Sequence, residues 1–345
     1  MAAERLLCCE SWLNEATGGQ ASVSLWFERL MGFPETSPDQ VRANIDIEGQ
    51  FLISRVNGRR VRCGRLATPS LAELRADGKA VPAKKTTVTE VVGDIGQLHR
   101  DSKNAGTLFQ AASQFNLLEM AGPSVTPEKG VGIYQFDRTQ GPACAIACGG
   151  GTIFRNYFAP VGRQIGQSAE HQIDCLADLH VGLGGPGLWE MRNGYAFPSR
   201  RGFERINAGL AAASPSQLDY LRGMLRVGVQ HDVEVTDTDQ LVTQVYGSAL
   251  PVGYGSQPTH LWEPLARLVL EASYEATLRV ARRCNIDIVY LTLLGGGVFR
   301  NDSEWISESI LSAVERVDGL DARIVSYEQS NKAVKRLIDT WEGVV

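Results

Sequence analysis

The sequence predicts an α/β fold in three layers, with a mixed sheet held between helices. Three observations carry that expectation. Residues 286–294 form an almost unbroken apolar run, the pattern of a central strand covered on both faces. The run ends in Gly295-Gly296-Gly297 and is followed by a helical stretch at 304–317, a strand at 322–327 and a helix at 331–341, an order that places helices on both sides of a sheet. With 345 residues, 43% of them hydrophobic, the chain can bury a large core.

The first 80 residues are expected to form an N-terminal extension packed on a core that spans 81–345. Within the extension, 22–30 reads as strand-like or short-helical. Segments 51–56 and 59–63 flank Asn57-Gly58, the dipeptide of a tight hairpin turn. Residues 69–76 read as a helix with Thr68 as N-cap and Pro69 at its first position, and 78–85 as a polar linker. Residues 86–92 are rich in β-branched side chains and stop at Gly93-Asp94, a strand running into a loop. Residues 105–120 carry Leu108, Ala112, Phe115 and Leu118 near one helical face, and Glu119 is expected to be exposed on that helix. A loop at 123–129 leads to a buried strand or helix start at 143–149 and to an aromatic stretch at 153–160 whose type stays open. A largely helical insertion with glycine breaks is expected over about 160–225. Strands at 225–235 and 241–252 and a long helix at 262–284 complete the core.

Charged residues are 21% of the chain and the net charge is −5, so no basic surplus points to nucleic acid or to an anionic membrane. An acidic chain can still hold a phosphorylated ligand on backbone N–H groups. No apolar run is long enough to span a bilayer, and the start of the chain, with Glu4 and Glu10, does not read as a secretory signal. Seven scattered cysteines read as reduced thiols, and the expected location is cytoplasmic. Cys144 and Cys148 lie among alanines and are expected to pack rather than bind zinc; no metal and no cofactor are expected.

Two loops carry the functional expectation. One is Gly93-Asp94-Ile95, followed by Asn104-Ala105-Gly106; the other is Gly295-Gly296-Gly297-Val298-Phe299-Arg300. Ligands of open α/β sheets bind at the carboxyl ends of strands. Three glycines leave backbone free to wrap a phosphate, and the helix that follows adds its positive end. Val298 and Phe299 would wall a sugar or base. Asp94 would accept a hydrogen bond from a ligand amino group, and Asn104 would hold a ribose hydroxyl.

Val92-Gly93-Asp94-Ile95, Asn104-Ala105-Gly106 and Gly295-Gly296-Gly297-Val298-Phe299 resemble the ADP-ribose-binding loops of macrodomains. The resemblance covers roughly residues 86–330. It implies a macrodomain-like sheet in which Asp94 contacts adenine, Asn104 the distal ribose and the glycine loop the diphosphate. Residues 106–119, with Phe109-Gln110 entering a helix, are similar to the poly(ADP-ribose) glycohydrolase branch. The two adjacent glutamates that follow a glutamine there are replaced here by Ala111-Ala112. The overall pattern more closely resembles divergent macrodomain hydrolases of bacterial effectors, which release ADP-ribose from arginine, including arginine on ubiquitin. The expected ligand-binding set is therefore Asp94, Ile95, Asn104, Gly106, Gln110, Gln140, Gly295, Gly296, Gly297, Val298, Phe299 and Arg300. The expected partner is ADP-ribose or an ADP-ribosylated protein.

Cleavage at the ribose passes through an oxocarbenium-like state that a carboxylate can stabilise. Asp232 and Glu234, two residues apart on an expected strand, would share one face and could grip a guanidinium. Asp137, in the polar run 136–142 with Arg138 and Gln140, is the third catalytic candidate. A non-catalytic reader of ADP-ribose is the alternative. A dinucleotide enzyme is disfavoured because no G-x-G-x-x-G follows an early strand.

Overall fold

The apolar run that ends at the glycine loop is one of five parallel strands, and their shared direction sets where a ligand can sit. The computed structural model describes residues 25–76 and 84–344. The first part of the chain runs α1 (Trp26–Met31), α2 (Pro38–Asn44), β1 (Ile45–Glu48), β2 (Phe51–Ser54), β3 (Arg60–Arg62), β4 (Arg65–Ala67), α3 (Leu71–Arg75), β5 (Thr87–Val92), α4 (Ile95–Arg100), β6 (Leu108–Ala112), α5 (Gln140–Ala147) and α6 (Gly149–Tyr157). It continues β7 (Pro160–Val161), β8 (Gln164–Ile165), α7 (Ala177–Gly182), β9 (Trp189–Arg192), β10 (Tyr195–Pro198), α8 (Arg200–Ala212), α9 (Pro215–Gly223), β11 (Gly228–Glu234), β12 (Leu241–Gly247), α10 (Thr259–Cys284), β13 (Ile288–Leu291), α11 (Ser303–Arg316), β14 (Asp321–Ser326) and α12 (Lys332–Val344).

The central sheet has the order β4-β11-β12-β6-β13-β14-β5. Strands β12, β6, β13, β14 and β5 are parallel, while β11 runs antiparallel to both β12 and β4. The sheet is therefore mixed, as the sequence predicts. The carboxyl ends of the five parallel strands share one edge with the start of β11, and the end of β11 lies at the opposite edge.

Helices cover both faces. Gln110 on β6 donates to Thr277 on α10 at 2.8 Å, which fixes one face. Phe109, the next residue back, points to the other face and stacks on His99 of α4, with ring centroids 3.8 Å apart. Phe109 also stacks on Tyr290 of β13 at 4.6 Å. Burial pushes the His99 imidazole down to about 4, so it stays neutral inside this stack. Among the described residues no helix is long and apolar enough to cross a membrane.

A second apolar cluster is separate from the sheet core. It joins Trp26, Phe27, Leu52 and Val61 of the N-terminal segment to Leu118, Val131 and Tyr134 after β6 and to Tyr157 of α6. The β2–β3 hairpin forms around Asn57-Gly58 as expected. Residues 26–31 are helical, and 22–24 lie outside the described residues, as do 77–83, which take in most of the expected linker at 78–85, and Cys8 and Cys9. The helix expected from Pro69 starts later: Ser70 is the N-cap and exchanges hydrogen bonds with Glu73. Strand β4 pairs with β11, and Leu71 and Leu74 enter the main core.

Residues 105–120 are not a helix. Leu108, Phe109, Gln110 and Ala111 are all buried, and β6 is paired on both sides, with β12 and β13. Burial on both faces erases the two-residue alternation by which a strand is recognised, so helical spacing there was coincidental. Residues 143–149 fall mainly in helix α5, and 153–157 belong to helix α6. The 160–225 insertion mixes helices with two hairpins, β7–β8 and β9–β10.

Candidate functional site

Loops after β5, β6, β12, β13 and β14 crowd the carboxyl-terminal edge. Four exposed large apolar side chains stand on them: Val92, Phe136, Val298 and Tyr327. Exposed apolar groups gathered at strand ends are the usual lining of a ligand cleft. Asp94 is the N-cap of α4, its Oδ1 accepting from the Gln97 N–H at 2.9 Å, with Ile95 buried beneath it. The Tyr327 hydroxyl is raised chiefly by adjacent Glu328; Asp94 also raises it and Arg138 lowers it, so three loops meet here.

The glycine loop after β13 is a defined turn. Gly295 has φ +73°, and a Cβ added to it would lie 2.5 Å from both the Ala249 Cβ and the Asn301 Nδ2. Asn301 donates from its backbone to Gly295 O at 2.9 Å and from its side chain to Leu250 O at 2.8 Å. Gly296, Gly297, Val298 and Arg300 are exposed, while Phe299 packs against Tyr195 and Tyr254 at 5.3 and 5.8 Å. The start of α11 is already capped by Asp302, which accepts from the Glu304 N–H at 2.8 Å. That carboxylate competes with a phosphate for the helix end. Helix α5 differs: Thr139 makes no side-chain cap and the first turn holds no acid. Of these two helix starts, the one without a competing carboxylate cap is that of α5.

Glu119 lies behind the lip formed by residues 136–140 and is 3% exposed. Neither of its carboxyl oxygens has a hydrogen-bond partner, nor does Arg155 Nη1. Burial pushes the Glu119 carboxyl up to about 8; Arg155 pulls it down and Asp137 pushes it further up. Burial thus favours its protonated, neutral form. Tyr134 Oη accepts from the Glu119 N–H at 3.1 Å. Arg155 donates to Leu117 O at 3.0 Å and to Thr152 Oγ1 at 3.1 Å, with its guanidinium 3.6 Å from the Tyr246 ring centroid. Asp137 is half-buried at the lip, where its Oδ1 accepts from the Thr139 N–H at 2.8 Å. A Cβ on Gly141 would overlap the Ala112 carbonyl oxygen and come 3.1 Å from Glu119 Cγ, so only glycine lets α5 abut this acid. Gln140 ties the same helix to β6, accepting from Ala112 N and donating to Gln110 O, both at 3.0 Å.

Several predicted site residues lie elsewhere. Asp232 and Glu234 are at the end of β11, on the opposite edge, so they are not beside the glycine loop. A bulge between Gln230 and Val233 breaks the alternation, and Asp232 adopts φ +51° and is exposed. Glu234 accepts from the Arg62 N–H at 3.0 Å instead. Asn104 and Gly106 precede β6 and share that far edge. Asn104 is 4% exposed, accepting from Tyr290 Oη at 2.7 Å and donating to Leu98 O at 2.8 Å. Gly106 donates to Leu241 O. Gln110 is 1% exposed, its amide engaged by Thr277 and by the Thr292 N–H. The residues that do meet at one edge are Asp94, Ile95, Asp137, Gln140 and 295–300. Glu119, Tyr134, Arg155 and Tyr327 were not predicted. A single carboxylate inside the run Phe115 to Met120 was the available signal for Glu119.

The sequence matches no protein-family model and no curated relative. Among solved structures, the chain is similar to poly(ADP-ribose) glycohydrolase from Thermomonospora curvata, at 13% identity and TM-score 0.43, covering 88% of this chain and 95% of that one. It is also similar to the Deinococcus radiodurans poly(ADP-ribose) glycohydrolase in complex with ADP-ribose, at 15% identity and TM-score 0.44, covering 81% and 95%. The Thermomonospora curvata enzyme bound to the inhibitor ADP-HPD gives 14% and 0.41, covering 88% and 95%. The functional reading is carried by the site rather than by these likenesses.

Proposed function

We propose that this chain binds ADP-ribose along the carboxyl-terminal edge of its sheet and hydrolyses the bond between the ribose and a modified protein. The observation that carries the reading is the Glu119–Asp137 pair, one carboxyl buried and neutral, the other at the lip. Two carboxyls whose environments differ in this way suit glycosidic cleavage. Water adds to the anomeric carbon as its bond to the leaving atom breaks. Glu119 gives its proton to the leaving atom, and Asp137 takes one from the water; transfer back to Glu119 resets the pair. The lip at 136–140 has to part for a leaving group to reach Glu119. The glycine loop and the start of α5 suit the diphosphate, and Val92, Phe136, Val298 and Tyr327 suit the base and sugar.

Arginine is the finer reading of the linkage, with ubiquitin a candidate carrier. Its support is the half-buried Asp137 carboxyl at the lip, which a guanidinium could meet. The burial of Glu119 favours a second reading, a reader that binds without cleaving. Calorimetry with ADP-ribose, run beside release assays on arginine-, glutamate- and serine-linked conjugates, separates them. Saturable binding with release from the arginine conjugate is expected; binding without release from any conjugate makes the chain a reader. Gly295→Ala is expected to weaken ADP-ribose binding at least tenfold, since the new Cβ displaces Ala249 or Asn301. Unchanged affinity would take the diphosphate away from this loop. Asp232→Ala is expected to keep wild-type turnover, and a large loss would return catalysis to the far edge.

A further inference from the structure

A cleft of about 670 Å³ opens beside the site, built by the β9–β10 hairpin and the loop after β12. Pro123, Trp189, Phe197, Tyr254 and Gln257 are among its walls. Tyr195 of β10 touches both the Tyr254 wall of the cleft and the segment that bears Glu119. Tyr195 Oη donates to Met120 O, next to Glu119, at 2.9 Å. Its ring lies 5.4 Å from Tyr254 on the cleft side and 5.3 Å from Phe299 of the glycine loop. Tyr195 thus links the cleft to the Glu119 segment and to the glycine loop.

Its rim argues for an uncharged occupant. Arg192 and Glu190, two residues apart on β9, pair along its rim at 2.6 Å, with the guanidinium 5.4 Å from the Phe197 ring. A phosphate-bearing ligand needs cations not already paired. Aromatic walls with Ser199, Ser256 and Gln257 at hand instead match an extended segment bearing proline or an aromatic residue. We infer that this cleft holds the polypeptide carrying the ADP-ribose, an uncharged stretch with a proline or aromatic residue beside the modified side chain. The inference rests on the hydrolase reading and names the acceptor side of that site.

The test compares an ADP-ribosylated protein with the same ADP-ribosylated amino acid freed from its polypeptide. Trp189→Ala removes a wall, and Ser256→Trp fills the cleft from an exposed position without removing packing. Both variants are expected to lower kcat/KM at least tenfold on the protein and leave the free conjugate unchanged. Equal loss on both substrates, or no loss on either, overturns the inference. A Gly-Ser peptide carrying one Pro-Tyr pair is expected to bind the wild type saturably and to lose binding in Ser256→Trp. Adenosine monophosphate displacing that peptide would make the cleft a nucleotide site and overturn the assignment. Peptide binding without release from any conjugate would sink the hydrolase reading and with it the acceptor-side assignment, leaving only a peptide-binding cleft; absence of peptide binding would sink the cleft assignment alone.

Discussion

Glu119→Gln is expected to abolish ADP-ribose release while leaving ADP-ribose binding intact. Glutamine matches the neutral carboxyl in shape and polarity but holds no transferable proton. Loss of a positioned general acid costs roughly 10²–10⁴ in rate. The wild type carries a related signature in pH. Its rate is expected to fall as pH rises through about 8, where the buried carboxyl gives up its proton. Stability follows the same titration. The folded value is raised above the ordinary 4.5, so the stability this group contributes is fully present below that pH and is lost as pH rises through about 8. Glutamine does not titrate. The variant is therefore expected to match the wild type in Tm at pH 4 and to melt higher at pH 9. Differential scanning calorimetry at both pH values, beside the release assay, checks this. Retained release would move the acid elsewhere; loss of ADP-ribose binding together with a lower Tm at both pH values would make Glu119 structural.

How much of this was legible in the sequence depended on whether burial preserved the local pattern. The run at 286–294 and the long helix at 262–284 declared themselves by length and apolar composition, and the edge strand at 86–92 by its β-branched residues. Strand β6 did not, since burial on both faces erased its alternation. That one misreading moved Glu119 onto an imagined exposed helix face, when it lies in the loop that follows the strand. The acidic run at 232–239 failed for another reason. Its strand was predicted, but the direction of a strand cannot be read from its own residues. Antiparallel pairing with β12 puts those carboxylates at the far edge. Asn104 failed in the same way: a residue just before a parallel strand lies at the edge opposite one just after it. The glycine loop and Asp94 share one edge because both directly follow parallel strands.

The second large effect is expected at Glu35, which nothing in the sequence marked. Its carboxylate accepts from the Val131 N–H at 2.9 Å, the Gly132 N–H at 2.6 Å and the Tyr157 hydroxyl at 2.6 Å. A side chain on Gly130 or Gly132 would collide with that carboxylate, so both positions are bare to let it in. Trp26 reinforces the attachment, its Nε1 donating to Val131 O at 3.0 Å and its N–H to Gln135 Oε1 at 2.9 Å. The segment so held bears Tyr134, which fixes the Glu119 backbone, and leads directly to Asp137. The N-terminal segment thus acts on the carboxyl pair through its hold on one loop. Burial pushes the Glu35 carboxyl up, against the pull of its bonds to Tyr157, Val131 and Gly132. Glu35→Ala leaves those three donors without their acceptor, at about 1–3 kcal/mol for each that water does not reach. A drop in Tm of several degrees is expected, with at least a tenfold fall in kcat and little change in ADP-ribose affinity, because neither Asp94 nor the glycine loop touches this clamp. Glu35→Gln keeps one acceptor and is expected to recover part of both losses. Amide hydrogen exchange at 130–137 is expected to rise in step with the fall in kcat. A lower Tm with kcat unchanged would limit Glu35 to stability, and a collapse of ADP-ribose affinity would show that the loop it holds binds the nucleotide rather than presenting the carboxyl pair.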